Sequence, residues 1–126
     1  MTDPVLNFAK CTVSTGYDNI ATTVVLITGH GALLPTPATD GAFNLIWWDA
    51  SSYGDPADDI KKEIVRVTTR TADTLTITRA QEGTSASTKN TSGHTYKMIL
   101  GFTKKNYDDI ITEAIMDGDI INGGNF

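Results

Sequence analysis

The sequence is poor in the residues that build disulfides and metal sites. Its 126 residues include one cysteine, Cys11, and two histidines, His30 and His94. A single cysteine cannot form an intramolecular disulfide, and a zinc site would lack its usual thiolate ligands. Cys11 alternates with Ala9 and Val13 in a strand-like segment, so we expect a buried structural thiol. The composition predicts neither a metal nor a cofactor.

Long apolar runs and an excess of basic residues are absent as well. The longest apolar runs, 24–27 and 45–48, are far too short to span a bilayer. The net charge is -5, from 15 acidic and 10 basic residues. This balance disfavours nucleic acids and anionic membranes as partners, because neutralising phosphates requires clustered Lys and Arg. Residues 1–4 do not resemble a secretory signal, so we expect synthesis in a cytoplasm.

The polar and apolar pattern over residues 1–102 is typical of strands. Threonine recurs beside valine, leucine and isoleucine, which suits half-exposed strands. The pattern predicts strands at 8–13, 21–28, 42–49, 63–70, 74–80 and 95–101. Residues 71–73 match a hairpin loop of three to five residues, and 83–93 form a long polar loop. We therefore predict a mainly β domain, a small antiparallel barrel or sandwich.

Residues 103–126 have a different pattern and are predicted to form a C-terminal helix and tail. One face of this helix would be apolar and would carry Tyr107, Ile110, Ile111, Ala114 and Ile115. Thr103 or Asn106 could cap its start, and Gly118 could end it. The apolar face could pack over an open end of its own barrel or meet the same face on symmetry mates. We favour self-association or docking, since an isolated helix of this length is marginal in water.

Few residues are candidates for catalysis or metal binding. Both histidines lie beside a glycine, and we expect exposed turn residues at both positions. The residue types of a Ser-His-Asp triad are present, but no Gly-x-Ser-x-Gly elbow occurs, so no catalytic residue is predicted. Asp55, Asp58 and Asp59 lack the ligand alternation of a calcium loop. We expect a solvated acidic loop there, with an adventitious cation site as the alternative.

The adjacent pair Trp47 and Trp48 would point to opposite faces of a strand and cannot form one flat sugar-binding surface. Trp47 is predicted to lie in the core. Trp48 has two open interpretations, burial under another element or a place in a subunit interface, where tryptophan is enriched. A receptor- or glycan-binding module that uses Trp48 and the 83–93 loop is the alternative function.

The segment 79–84 places an arginine and a glutamate close together, as an acid–base site would. Arg79 continues the face of Leu75 and Ile77, and Glu82 follows where the strand gives way to the loop. Neighbouring strands can join such groups as cross-strand charge pairs. We interpret the segment as a structural hairpin with a polar exit loop.

Three blocks follow one another in an order that we recognise: FNLIWWDA at 43–50, EIVRVT at 63–68 and DTLTITRAQEGT at 73–84. Together they resemble a module of virion proteins of tailed bacteriophages, over about residues 21–102. The resemblance implies a non-enzymatic, β-rich assembly module, commonly multimeric, and carries over no catalytic residue.

On this basis we expect a small decoration, head-fibre or neck-adaptor protein of the virion. We expect a homotrimer that contacts other virion proteins, such as capsid, portal, neck or tail. The predicted interface residues are Trp48, Tyr107, Ile110, Ile111, Ala114, Ile115 and Phe126.

Overall fold

Six short strands and one longer helix dominate the computed structural model, which describes residues 2–117. The strands are β1 (Lys10–Thr12), β2 (Thr23–Val25), β3 (Phe43–Asp49), β4 (Glu63–Thr71), β5 (Thr74–Gln81) and β6 (Tyr96–Ile99). The α-helices are α1 (Pro37–Asp40) and α2 (Lys104–Asp117), and short 3-10 turns cover His30–Leu33 and Pro56–Asp58. The predicted mainly β class with a C-terminal helix is confirmed.

All six strands belong to one antiparallel sheet in the order β1-β6-β3-β4-β5-β2. The sheet curls until its two edge strands meet, where Val13 pairs with Leu26. Two backbone hydrogen bonds support this contact, from Ser14 N to Val25 O at 2.9 Å and from Ile27 N to Thr12 O at 3.0 Å. Of the two predicted architectures, the barrel-like one is therefore present, as a curled half-barrel.

The core fills the concave side of this sheet. In β3 the alternate residues Phe43, Leu45 and Trp47 are fully buried, because side chains alternate between the two faces of a strand. The register sets Val67 opposite Phe43 and Val65 opposite Leu45. Burying each such side chain contributes about 1.5–3 kcal/mol. The predicted burial of Trp47 and of the Cys11 thiol is confirmed.

The turn between β4 and β5 is tighter than predicted. Thr71 pairs with Thr74, so only Ala72 and Asp73 form the loop, where three residues or more were expected. The carboxylate of Asp73 accepts hydrogen bonds from Gly29 N at 3.1 Å and Gly31 N at 2.8 Å. The hairpin tip is thereby fastened to the segment that follows β2.

Candidate functional site

A buried glutamate, Glu63, lies at the centre of a dense polar network. Its side chain is fully buried at the start of β4, opposite Trp47 in β3. Arg79 donates from Nε to Oε2 and from Nη2 to Oε1, both at 2.8 Å. Lys89 Nζ lies 3.2 Å from Oε1, and the backbone N–H groups of Ala80 and Ser87 also donate, at 2.9 and 3.1 Å. The carboxylate thus has a full set of donors.

The two cations of this network also pack on Trp47. Arg79 Cζ lies 4.9 Å and Lys89 Nζ 5.2 Å from the ring centroid, within the range of cation–π attraction. Tyr17 meets the same indole edge-on, with centroids 6.2 Å apart. Backbone hydrogen bonds between Tyr17 and Lys89, at 3.0 and 2.7 Å, hold the 83–93 loop against this group. The loop therefore closes one end of the half-barrel.

The environment of Glu63 keeps its carboxyl ionised. Burial opposes ionisation, but the hydrogen bonds from Arg79, Ala80 and Ser87 and the charge of Lys89 outweigh it and lower the pKa to about 2. Burial lowers the pKa of Lys89, against the opposite effect of Glu63. A general acid or base needs a pKa near the working pH. Glu63 is therefore suited to be a structural counter-ion.

Glu82, the glutamate of the 79–84 segment, does not pair with Arg79. Its Oε2 accepts from Asn44 Nδ2 at 2.9 Å and from Thr103 Oγ1 at 3.0 Å. Lys105 N lies 3.4 Å from Oε1, so the carboxylate sits at the positive N-terminus of α2. The partner of Arg79 is Glu63, a residue that no sequence motif marks. Residues 79–84 therefore do form a structural hairpin end with a polar exit, but Arg79 pairs with Glu63 and not with Glu82.

A second set of polar contacts fastens α2 to the convex face of the sheet. Asp3 accepts from Arg66 Nη1 and Nη2 at 2.9 and 3.0 Å and from Lys105 Nζ at 3.3 Å. Arg66 also donates to Asn44 Oδ1 at 3.0 Å. Burial opposes ionisation of Asp3, but Arg66 and then Lys105 lower its pKa. We call this set the helix clasp; its members are Asp3, Asn44, Arg66, Glu82, Thr103 and Lys105.

The start of α2 is capped as predicted. Thr103 N donates to Asn106 Oδ1 at 2.9 Å, and Asn106 N lies 3.4 Å from Thr103 Oγ1. Such reciprocal bonds satisfy N–H groups that have no partner within the helix. Both residues proposed for the cap take part. The predicted stop at Gly118 lies outside the described residues.

The helix turns its polar side, and not its apolar side, towards the sheet. Asn106 is buried, and Lys105 and Asp109 are half-buried and form an ion pair. By contrast, Tyr107, Ile110 and Ile115 are 57%, 43% and 50% exposed. Ile111 and Ala114 are half-buried, and Phe126 lies outside the described residues. The three exposed members of the apolar face are left uncovered by the barrel.

Trp48 is covered by its own chain. Its side chain is 4% exposed, and the indole Nε1 donates to Tyr53 O at 3.0 Å. Of the two placements predicted for Trp48, the structure shows burial under another part of its own chain. Little of its surface remains to stack on a sugar or to contact a partner.

The histidines are not the exposed turn residues that the sequence suggested. His30 Nδ1 accepts from Thr12 N at 2.8 Å, and His94 Nδ1 lies 2.7 Å from Asp49 Oδ2. Ser52 Oγ approaches the same His94 nitrogen at 3.4 Å. A catalytic triad uses the two opposite ring nitrogens, so these three residues do not have triad geometry.

The acidic loop is only partly solvated. Asp55 and Asp58 are exposed, as predicted, but Asp59 is 3% exposed. Its carboxylate accepts from Asp49 N at 2.9 Å and from Lys61 N at 2.8 Å, so it serves as an internal hydrogen-bond acceptor. Within residues 2–117, no group of three His, Cys, Asp or Glu side chains is placed to hold a metal ion.

Membrane-spanning helices and similarity to known proteins also bear on what the protein is. Over the same residues, no helix has the length and apolar character needed to cross a membrane. No model of a known protein family matches the chain, and no curated protein matches it. The features that bear on function are therefore the buried ion network, the helix clasp and the exposed apolar face of α2.

Proposed function

We propose that the chain is a non-enzymatic structural protein of a bacteriophage virion. It associates with copies of itself through the apolar face of α2 and docks on the particle as a decoration, head-fibre or neck-adaptor protein. The observation that carries the proposal is the orientation of α2. The helix clasp binds its polar side, and Tyr107, Ile110 and Ile115 point away from the barrel.

The exposed face of α2 suits association between copies. Fully burying a large apolar side chain contributes about 1.5–3 kcal/mol, and a helix of 14 residues needs packing partners to be stable. Copies related by a rotation axis would bring the same face together around that axis. A homotrimer, with three such faces packed in a small bundle, is the assembly that we propose.

A second apolar surface is available for other virion proteins. Phe8 is 98% exposed and Phe102 63% exposed. The backbone hydrogen bond from Leu100 N to Ala9 O, 2.9 Å long, brings the two segments that carry them next to each other. Contiguous exposed apolar residues mark interaction sites. We propose that this surface contacts a capsid, portal, neck or tail protein.

Sedimentation equilibrium of the purified chain tests self-association. The wild type should be a trimer, and the double variant Ile110→Ser/Ile115→Ser should shift towards the monomer with an unchanged β-sheet circular dichroism spectrum. Ile20→Ser/Ile60→Ser makes the same chemical change at residues 76% and 87% exposed outside the helix, and should remain a trimer. A wild type that is strictly monomeric would refute the proposed assembly.

The placement on a virion is tested separately, by mass spectrometry of purified particles from a phage that encodes the chain. The chain should be present at a fixed copy number per particle. Its absence from complete particles would overturn the virion role, whatever its oligomeric state.

A further inference from the structure

We propose that an open cleft between residues 60–62 and 83–87 binds the anionic group of an acidic saccharide. The cleft has a volume of about 440 Å³. Lys61 and Lys62 line it together with Thr84, Ser85 and Ser87, and Ile60 stands at its edge. This inference does not depend on the proposed virion role, since it concerns the binding chemistry of a single chain.

The charged side chains that line the cleft, among the residues that the structure describes, are those of Lys61 and Lys62. The protein has a net charge of -5, yet none of residues 2–117 lines this cleft with a carboxylate. Lys61 and Lys62 are exposed, and neither is paired with a carboxylate in the described part of the chain. Lys62 Nζ makes one long contact, 3.4 Å, with Asp59 O. Both ammonium groups are thus available to an anion.

The ion network beneath the cleft fixes the position of Ser87. Ser87, which lines the cleft, accepts from Arg79 Nη2 at 2.9 Å and from Lys89 Nζ at 3.3 Å through its carbonyl. Its N–H donates to Glu63 at 3.1 Å. The buried carboxylate of Asp59 also acts on Lys89, so Glu63 and Asp59 together balance Arg79 and Lys89, and the positive charge offered to a ligand is that of Lys61 and Lys62. Charges of one sign that line a cleft raise the local concentration of oppositely charged ligands.

The cleft wall is held in place before any ligand arrives. Thr84 Oγ1 donates to Gln81 O at 2.7 Å and accepts from Ile64 N at 2.9 Å. Ser87 Oγ donates to Lys61 O at 2.8 Å, which joins the two sides of the cleft. A preorganised wall avoids part of the entropic cost of binding.

The adjoining acidic loop limits the affinity. Asp55 and Asp58 are exposed and lie close in sequence to the two lysines, although neither lines the cleft. Their charges oppose the lysines at longer range, so attraction is confined to direct contact. We expect weak binding that falls as salt concentration rises, because exposed charges are screened.

The size and lining of the cleft favour a saccharide over a bare anion. The volume falls in the range of small-molecule sites. The Ser85 hydroxyl can exchange hydrogen bonds with a sugar hydroxyl, and Ile60, 87% exposed, offers an apolar contact for the C–H face of a ring. The sequence suggested a glycan-binding module that uses Trp48 and the 83–93 loop. The site that we propose uses the start of that loop and not Trp48.

Two-dimensional NMR titration of the isotopically labelled chain tests the proposal. The probes are glucuronic acid, glucose 6-phosphate, neutral glucose and inorganic phosphate, at matched pH and ionic strength. Both acidic sugars should shift the amide signals of residues 83–87, with dissociation constants on the order of 1 mM. Neutral glucose and inorganic phosphate should each bind at least tenfold more weakly.

Matched variants locate the site. Lys61→Gln/Lys62→Gln should weaken binding of both acidic sugars at least tenfold, whereas Lys10→Gln/Lys104→Gln removes the same charge elsewhere and should leave binding unchanged. Both lysine pairs are exposed, so the folded spectrum should persist; if the first double variant unfolds, Lys61→Gln alone serves. Equal binding of glucose, equal binding of inorganic phosphate, or equal loss in the two double variants would each overturn the proposal.

Discussion

Arg79 and Glu63 form two parallel hydrogen bonds, each 2.8 Å long, that join β5 to β4 inside the half-barrel. The same guanidinium stacks on Trp47 of β3 and donates to the carbonyls of Asp18 and Ala21 at 2.8 and 3.0 Å. One side chain therefore connects three strands with the segment that precedes β2. The integrity of this end of the barrel depends on the charge of its partner.

Removing the charge of Glu63 should lower the free energy of unfolding. Glu63→Gln keeps the shape of the side chain but leaves Arg79 and Lys89 without a counter-ion, and breaking a buried ion pair costs about 3–5 kcal/mol. Urea unfolding followed by circular dichroism measures the loss. Asp58→Asn, at an exposed carboxylate, should change the free energy of unfolding by no more than about 0.5 kcal/mol. Equal effects of the two changes would contradict the role given to Glu63.

The same carboxylate predicts how stability depends on pH. The pKa of Glu63 is about 2 in the folded chain against an ordinary value of 4.5, so the unfolded chain takes up a proton at higher pH. The stabilisation is complete above about pH 4.5 and is lost as the pH falls towards 2. The lowered pKa values of Asp3 and Asp49 act in the same direction. The free energy of unfolding between pH 7 and 2 should fall less steeply for Glu63→Gln than for the wild type.

The helix clasp should control the opening of α2. Asp3→Ala removes the acceptor shared by Arg66 and Lys105, so we expect amide exchange in α2 to accelerate about tenfold, which corresponds to about 1.4 kcal/mol, while β3 to β5 stay protected. Hydrogen–deuterium exchange measures both regions. Asp108→Ala, which breaks only the exposed pair with Lys104, should have little effect. Unchanged exchange of α2 in Asp3→Ala would show that other contacts hold the helix.

Gly31 should tolerate no side chain. A Cβ atom at this position would lie 1.9 Å from the carbonyl oxygen of Ala72, and a backbone group cannot rotate away. Gly31→Ala should therefore destabilise the protein by about 1–3 kcal/mol or more. Gly54→Ala is the matched control, since no atom lies within 4 Å of its added Cβ. Thermal unfolding should separate the two variants, and identical midpoints would contradict the predicted clash.

The thiol of Cys11 should be inert in the folded chain. Its side chain is 1% exposed, and burial raises its pKa to about 12. Because the thiolate is the reactive form, a disulfide reagent at pH 8 should react slowly with the native chain and rapidly in denaturant. Fast reaction under native conditions would mean that β1 opens readily.

The pattern along β3, β4 and β5 was sufficient to predict these strands almost to the residue. Strict alternation, as in Val65 and Val67, is a strong local signal. At the two edges, β1 and β2 are shorter than the predicted 8–13 and 21–28. There the backbone leaves the ladder to meet the opposite edge of the curled sheet, and this closure depends on residues distant in sequence.

The ion network was missed for a related reason. Glu63 has the same parity as Val65 and Val67, so alternation already placed it on the core face, but charged residues are rarely fully buried. Lys89 lies in a polar run whose composition is typical of an exposed loop. Only the folded arrangement shows that this loop returns over Trp47. The orientation of α2 likewise follows from Asp3, which is distant in sequence and which no helical pattern includes.

The strand order has a consequence for the route by which the chain folds. Among the ladders of the sheet, those that join strands adjacent in sequence are β3–β4 and β4–β5, so this three-stranded meander can form early. β1 must wait for a partner about 90 residues downstream, since Lys10 pairs with Ile99. During synthesis β1 therefore lacks its ladder partner until β6 leaves the ribosome, and only the short contact of Val13 with Leu26 is available to it earlier. Such non-local pairing slows folding to milliseconds or seconds, and nascent chains stalled before residue 99 should hold a formed hairpin beside an unprotected N-terminal segment.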